Sequence, residues 1–442
     1  MLSHYSTRLS GEELKNYFLS GIKKKEELEI GVEWEKLGVY RDTGQAIAYG
    51  GPRGVKAIFS ALSKEYGWEP ILASDGQPIA LKRGASSITL EPGGQIELSG
   101  QKAFHLDQNA RELFLHLKEV KEVSQPLGIA WLGLGAQPFS VADDIEWVPK
   151  DRYTVMREKL AGKGALTYAM MKETASVQIS LDYLSEDDAV EKLRLAMALA
   201  PILTALFANA PLEKGRITRF YSRRANIWRH TAPERSGIIW KIFERSFTLD
   251  DYVEYALNVP LLFLQRNGQW LGTDGIRFKD YIQKGWHGFT AEPEDWDLHL
   301  TSIFTEARIK KYIELRTIDC QRPEMGLAAV AFVKGLFYHE PSRQAAWKLL
   351  ESSSLEERVR LAEETPREAL QTRLGDATLL ELCQKLLALA KEGLSADEKI
   401  FLQPLEKTVE RGQCPAQILL ENLAGETAPE ALLKNILRNC ET

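Results

Sequence analysis

The sequence is poor in cysteine: four stand among 442 residues, at Cys320, Cys383, Cys414 and Cys440. They lie far apart and include no CxxC pair, so neither a disulfide framework nor a zinc site is expected. Cys383 sits on an apolar helical stripe beside Leu382 and Leu386, where a thiol is inert, and Cys440 is expected near a frayed terminus. Long apolar runs are also missing, and none approaches the roughly 18 residues that span a bilayer. The opening stretch, MLSHYSTRLSGEELKNYF, has no apolar signal core and carries acidic residues. No secretory or transit peptide is read there, and the cytosol is the expected compartment. Net charge is low: 56 Lys and Arg against 62 Asp and Glu leave −6. That argues against a partner held by phosphate neutralisation, so neither nucleic acid nor membrane is expected. HExxH, Walker A and GxSxG strings are absent, and Gly133-Leu134-Gly135 lacks the third glycine and helix start of a dinucleotide fingerprint. His105, His116 and His230 stand alone and read as structural or exposed.

What is present is ordinary in bulk. Hydrophobic residues make up 44% and charged residues 27%, a globular composition long enough for one large domain or two to three smaller ones. The pattern predicts an opening helix over 9–28, with Ser10 as N-cap and Glu13 completing a capping box. A strand over 29–41 follows, then a glycine turn at 50–54, a helix at 54–66 and β-hairpins across 70–100. Helices are expected at 107–126, 151–170, 186–207 and 293–304, and strands at 129–135, 176–183, 259–265 and 270–273. Residues 211–247 read as irregular and rich in arginine. From Pro341 the chain becomes helix after helix, which sets a boundary between 1–340 and a helical 341–442 region packed on it. Leu379–Leu389 reads as core rather than interface. Strands and helices without regular βαβ alternation predict an α+β fold, an antiparallel sheet with helices outside.

The informative feature is a set of carboxylates on strand faces. Side chains alternate along a strand, so in Glu29–Tyr40 Ile30, Val32 and Trp34 point one way and Glu33 and Glu35 the other. Ile96 and Leu98 oppose Glu97 in the same manner, and Ile313 and Leu315 oppose Glu314 and Arg316. Pro92-Gly93-Gly94 is the tightest turn signal in the chain, with Glu91 and Glu97 on either side of it. So many carboxylates on one face need neutralising, since like charges 4 Å apart repel by roughly 4 kcal/mol at an effective dielectric of 20. Oxygen-only ligands suit Mg²⁺, which usually brings substrate phosphates with it. Taken alone, each stretch has a blander reading. The Glu33–Glu35 strand would be a solvated face, Glu314–Arg316 an ion pair, and Ser222–Trp228 a solvated basic loop.

Together these strings resemble the plant-type glutamate–cysteine ligases. Leu90–Gly100 (LEPGGQIELSG) is the most specific match, joined by Gly31–Lys36, Pro201–Asn209, Met170-Met171 and Tyr255–Pro260. The resemblance covers about 28–340. It implies a glutamine-synthetase-like fold, an antiparallel β-sheet funnel with outer helices. It further implies ATP-dependent joining of the γ-carboxylate of L-glutamate to L-cysteine through a γ-glutamyl phosphate, the first step of glutathione biosynthesis. By the same resemblance, Glu33, Glu35, Glu91, Glu97 and Glu314 would hold two or three Mg²⁺, helped by Gln178. Arg316, with Lys36, would neutralise the phosphoryl group, Arg224 and Arg235 would bind acidic substrate groups, and Gln178 would contact substrate as well as metal. Plant members carry a regulatory cysteine pair. Its positions match Ala175 and a site near Leu327, so that bridge is not expected. A ligase for a different amine and a non-catalytic member with a partner-binding tail remain open, as do monomer and homodimer.

Overall fold

A computed structural model describes residues 9–426 and 428–442. The first eight residues of the stretch read for targeting lie outside them. No helix among the described residues is long and apolar enough to cross a membrane.

The chain is α+β. Nine strands form one sheet: β1 (Ile30–Tyr40), β2 (Glu69–Leu72), β3 (Pro78–Arg83), β4 (Ser86–Leu90), β5 (Ile96–Ser99), β6 (Ile129–Leu132), β7 (Ser176–Leu181), β8 (Ala307–Ile309) and β9 (Ile313–Asp319). Their order is β8-β9-β7-β1-β5-β4-β3-β2, with β6 also on β1, and every pairing within the sheet is antiparallel. Strand β1 is central. Its first half runs between β7 and β5, and its second half pairs with β6.

Alternation decides which face is core. Val32, Trp34, Ile96, Leu98, Val177, Ile179, Ile313 and Leu315 are all buried. Helices Val55–Tyr66, Leu106–Ser124, Glu186–Leu206 and Pro323–Tyr338 pack around the sheet. The last comes close because of Gly326, where a Cβ would meet the Trp34 ring at 2.7 Å. The opposite face of β1 carries Glu33 and Glu35.

Most expected elements are present, and the departures have local causes. The opening helix stops at Leu19 instead of 28, although its Ser10–Glu13 capping box forms as read. At Gly21 the chain passes so near Lys311 that a Cβ would meet its carbonyl oxygen at 2.3 Å. The helix expected over 151–170 is two, Asp151–Lys159 and Thr167–Glu173. Gly162, at φ +72°, breaks it, and at Gly164 a Cβ would meet the His230 carbonyl oxygen at 2.2 Å. The 293–304 helix ends at Leu300, and the irregular 211–247 region contains a short helix, Arg223–Arg229.

The helices after residue 341 are not a loose array. Leu379–Glu392 packs on Pro323–Tyr338, with Leu379, Leu382, Leu386 and Leu387 buried, as the leucine stripe indicated. Leu419, Leu423, Leu432 and Ile436 share a second apolar cluster with Leu37 and Val39 of β1 and Ala130 and Leu132 of β6. The terminus expected to fray is pinned: Gly133 N–H donates to Cys440 O at 2.9 Å, Thr442 N–H to Trp131 O at 2.9 Å, and Cys440 is buried.

Candidate active site

The Leu90–Gly100 string makes the sharpest local structure. Gly94, at φ +82°, closes the turn by donating to Glu91 O at 2.9 Å, and Glu91 N–H donates to Gln95 O at 3.0 Å. A Cβ at Gly93 would meet Lys172 O at 2.3 Å. Gln95 ties the turn to the segment entering β7: its Oε1 accepts from Gly93 N–H at 2.9 Å, and its Nε2 donates to Thr174 O at 2.9 Å. The two glycines and the glutamine thus hold Glu91 and Glu97 beside β7.

Register does the rest. Glu33 lies opposite Ser99 on one side and Gln178 on the other, and Glu35 lies opposite Glu97. Glu33, Glu35, Glu91, Glu97, Gln178, Arg224 and Arg316 all border one cavity of about 270 Å³. Glu35 accepts from Ser176 N–H at 2.6 Å and from Gln178 Nε2 at 2.8 Å. Gln178 Oε1 in turn accepts from Arg316, so one amide joins a carboxylate to a guanidinium. Glu97 accepts from the Thr89 and Ser99 hydroxyls, each at 3.0 Å.

Burial and mutual repulsion dominate the electrostatics. Burial, then Glu97 and Glu314, push the Glu33 carboxyl well above its ordinary range. Glu35 is pushed up to about 7 by burial and by Glu91. Glu97 is pushed up to about 8 by burial, Glu91 and Glu35. A cation among them would favour their ionised forms. The donor set, carboxylate oxygens with one amide, matches a hard divalent ion. As the side chains stand, no group of three His, Cys, Asp or Glu among the described residues is arranged to hold a metal ion.

Three expected site residues lie elsewhere. Glu314 is buried behind the lining, tied to Arg308 at 2.8 Å, to Lys310 at 3.5 Å and to Arg316. Burial alone would raise its carboxyl, but these three cations together hold it well below the ordinary range. It anchors the cations of the wall and does not face the cavity. Lys36 points away altogether, because it is in phase with Trp34 along β1. Its Nζ donates to Trp34 O at 3.2 Å and lies 2.9 Å from His116 Nε2. Alternation should have excluded it. Arg235 is fully buried and spends its guanidinium on Ser302 O at 3.1 Å and Pro260 O at 2.7 Å. It is a core brace, outside the cavity.

Arg224 reaches the cavity from the short helix Arg223–Arg229, whose N-cap Ser222 accepts from Ala225 N–H at 3.1 Å and donates to Asp319 at 3.0 Å. Its own guanidinium donates to the Arg316 and Thr317 carbonyls at 2.6 and 3.2 Å, near the irregularity in β9 between Leu315 and Ile318. Four further cations line the cavity and were not read from sequence: Lys150, Arg152, Arg308 and Lys310. Arg308 and Lys310 share one strand phase in Glu306–Lys310, a signal that was legible. Lys150 and Arg152 begin a helix and carry no such pattern.

The cavity thus gathers carboxylates and guanidiniums on one antiparallel sheet with helices outside. The profile of glutamate-cysteine ligase family 2 (GCS2) matches residues 29–436, and the chain belongs to that family. It is 38% identical over 418 residues to the chloroplastic glutamate–cysteine ligase B of Oryza sativa subsp. japonica, covering 93% of this chain and 84% of that protein. To the chloroplastic enzyme of Brassica juncea it is 38% identical over 424 residues, covering 95% and 82%. The fold is similar to that of a glutamate–cysteine ligase from Francisella tularensis solved in complex with AMP. That likeness has a TM-score of 0.57 at 12% identity and covers 93% of this chain and 88% of that one.

Proposed function

We propose that the protein joins the γ-carboxylate of L-glutamate to the amine of L-cysteine at the expense of ATP. The observation that supports this best is the 38% identity to glutamate–cysteine ligases, sustained over more than nine-tenths of the chain. Phosphoryl transfer to the γ-carboxylate needs positioning and charge stabilisation more than covalent help from the protein. Glu33, Glu35, Glu91 and Glu97 would hold Mg²⁺, two or three ions in all, which neutralises the nucleotide phosphates. Arg316, oriented by Gln178 and Glu314, would face the transferring phosphoryl group. Arg224 would bind a substrate carboxylate. Seated in this cavity, the γ-glutamyl phosphate would have to be kept from water until the amine attacks.

The division into a catalytic 1–340 part and a helical 341–442 part is proposed on the same footing. So is a cytosolic location, although the plant relatives named above are chloroplastic. The test is ADP and phosphate release with Mg²⁺, ATP, L-glutamate and a panel of amines. Release with L-cysteine is expected. Release only with another amine would retain the ligase class and reject cysteine, and no release with any amine would reject the enzyme reading.

A further inference from the structure

Ser222, Arg223 and Arg224 open the short helix Arg223–Arg229, and each meets a buried carboxylate. Arg223 donates to Glu173 at 2.5 Å. The Ser222 hydroxyl donates to Asp319 Oδ1 at 3.0 Å while accepting from Ala225 N–H at 3.1 Å. Arg224 Nη1 lies 3.8 Å from the same Asp319 oxygen. Asp319 is the last residue of β9 and is only 1% exposed. It sits behind the wall of the carboxylate cavity, and the chemistry described above does not use it.

The surroundings are built to receive this carboxylate. The Gly133-Leu134-Gly135 stretch leaves it room, since a Cβ at Gly135 would meet Asp319 Cγ at 2.5 Å. Asn209 closes the other side. Its N–H donates to Asp319 Oδ2 at 2.8 Å, and its side-chain amide donates to Gly133 O at 2.7 Å and Cys320 O at 3.0 Å. Burial pushes the Asp319 carboxyl up to about 6, against the pull of Arg224 first and then of the Asn209 and Ser222 donors. At neutral pH the group is therefore mostly charged, with Arg224 as its cationic neighbour. The hydrogen bonds of the Arg224 guanidinium go to the neutral carbonyls of Arg316 and Thr317, at the irregularity of β9. Neutral carbonyls hold a planar fork weakly, and a fixed charge beside it selects one pose. The backbone of the segment is held independently: Arg223 N–H donates to Ala210 O at 3.0 Å, and Ser222 N–H to Pro366 O at 3.1 Å.

We propose that Asp319 is a positioning residue: directly by charge, and through the Ser222 hydroxyl, it sets the pose in which Arg224 meets the carboxylate of L-glutamate. The proposal rests on the reading above that Arg224 binds a substrate carboxylate.

Asp319→Asn removes the charge at nearly constant shape. Its oxygen can accept from Asn209 N–H, and its amide can donate to the Ser222 hydroxyl. Steady-state ADP release should show KM for L-glutamate raised at least about tenfold, with KM for ATP within about twofold of the wild type. A double-mutant cycle with Arg224→Ala separates positioning from simple support of the fold. Without Arg224 there is nothing left to aim, so adding Asp319→Asn to Arg224→Ala should change KM for glutamate by less than about twofold. An aspartate that only supported the fold would multiply the two effects and raise KM for ATP alike. Either of those results overturns the proposal, as does an unchanged KM for glutamate in folded Asp319→Asn. Should that variant not fold, Ser222→Ala decides in the same cycle: a glutamate-selective, non-additive rise supports the proposal, and an unchanged KM overturns it. If Arg224→Ala itself leaves KM for glutamate unchanged, the reading of Arg224 fails and takes the proposal with it. If the wild-type protein makes no ADP with any amine, the ligase reading is rejected, a result that none of the other outcomes resembles.

Discussion

Three carboxyls facing the cavity hold their protons more tightly than free glutamate does, and this has a consequence for stability. Glu35 and Glu97 titrate at about 7 and about 8 in the folded chain against 4.5 in the open one. The folded state then binds more protons, so stability is greatest below that window and falls as pH rises through it. Thermal unfolding of the ligand-free protein should show this decline, and Glu97→Gln, which keeps the shape and cannot ionise, should reduce it. The same variant should lose Mg²⁺-dependent ATP use. Glu314→Gln behaves differently. It leaves Arg308, Lys310 and Arg316 without their common partner, so it should destabilise the fold at every neutral pH. Among the guanidiniums, Arg316→Ala should lower turnover by about 10²–10³, the usual cost of a donor aimed at developing charge. Arg224→Ala should raise the glutamate requirement. Lysine at either place should not restore full activity, because the planar fork is lost. Steady-state kinetics with ATP and glutamate varied separately distinguish the two.

Strand β1 is where element-level reasoning is sharpest. Its alternation puts Glu33 and Glu35 into the cavity and Trp34 and Lys36 into the helix-covered layer. Burial lowers the Lys36 ammonium to about 8. Lys36→Met should therefore leave KM for ATP within about twofold and keep the fold, since a straight apolar chain of similar length replaces a buried cation. A loss of turnover like that of Arg316→Ala would return Lys36 to the site. The β9 strand teaches a complementary lesson. Glu314 and Arg316 are two residues apart and form an ion pair, as their phase implies. Only Arg316 lines the cavity, because Arg308 and Lys310 surround the Glu314 carboxylate. Phase along one strand cannot reveal what a neighbouring strand presents.

At the scale of the whole molecule, the last helices complete the sheet. Ile436 is fully buried against the cluster formed with the second half of β1 and with β6. Ile436→Ala should cost about 2–5 kcal/mol, measured by denaturant unfolding, and the loss should be larger than that of any exposed substitution in the same helix. Redox chemistry should not control the protein. All four cysteines are free and buried, and burial pushes each thiol up to about 12. Ala175 and Leu327 are both buried and apolar, so neither position offers a thiol. Activity and elution volume should be the same with and without dithiothreitol. A reversible several-fold loss on reduction would show that another disulfide operates.

Much of this protein was determined by local sequence. Period-two alternation set the carboxylate face of β1, and Gly93, Gly94 and Gln95 set the turn that presents Glu91 and Glu97, because those effects act within a few residues of chain. The capping box at Ser10 and the leucine stripe at 379–389 were legible for the same reason. Tertiary structure alone decided the rest. It ended the first helix at Leu19 and split the 151–170 helix, where glycines lie against distant backbone. It withdrew Arg235 into the core and turned Cys440 from a terminal thiol into a packed one. It also brought Lys150 and Arg152 toward a site that their own neighbours in sequence do not announce. Which charges face a common cavity depends on register and packing between segments far apart in the chain, and no local periodicity carries that information.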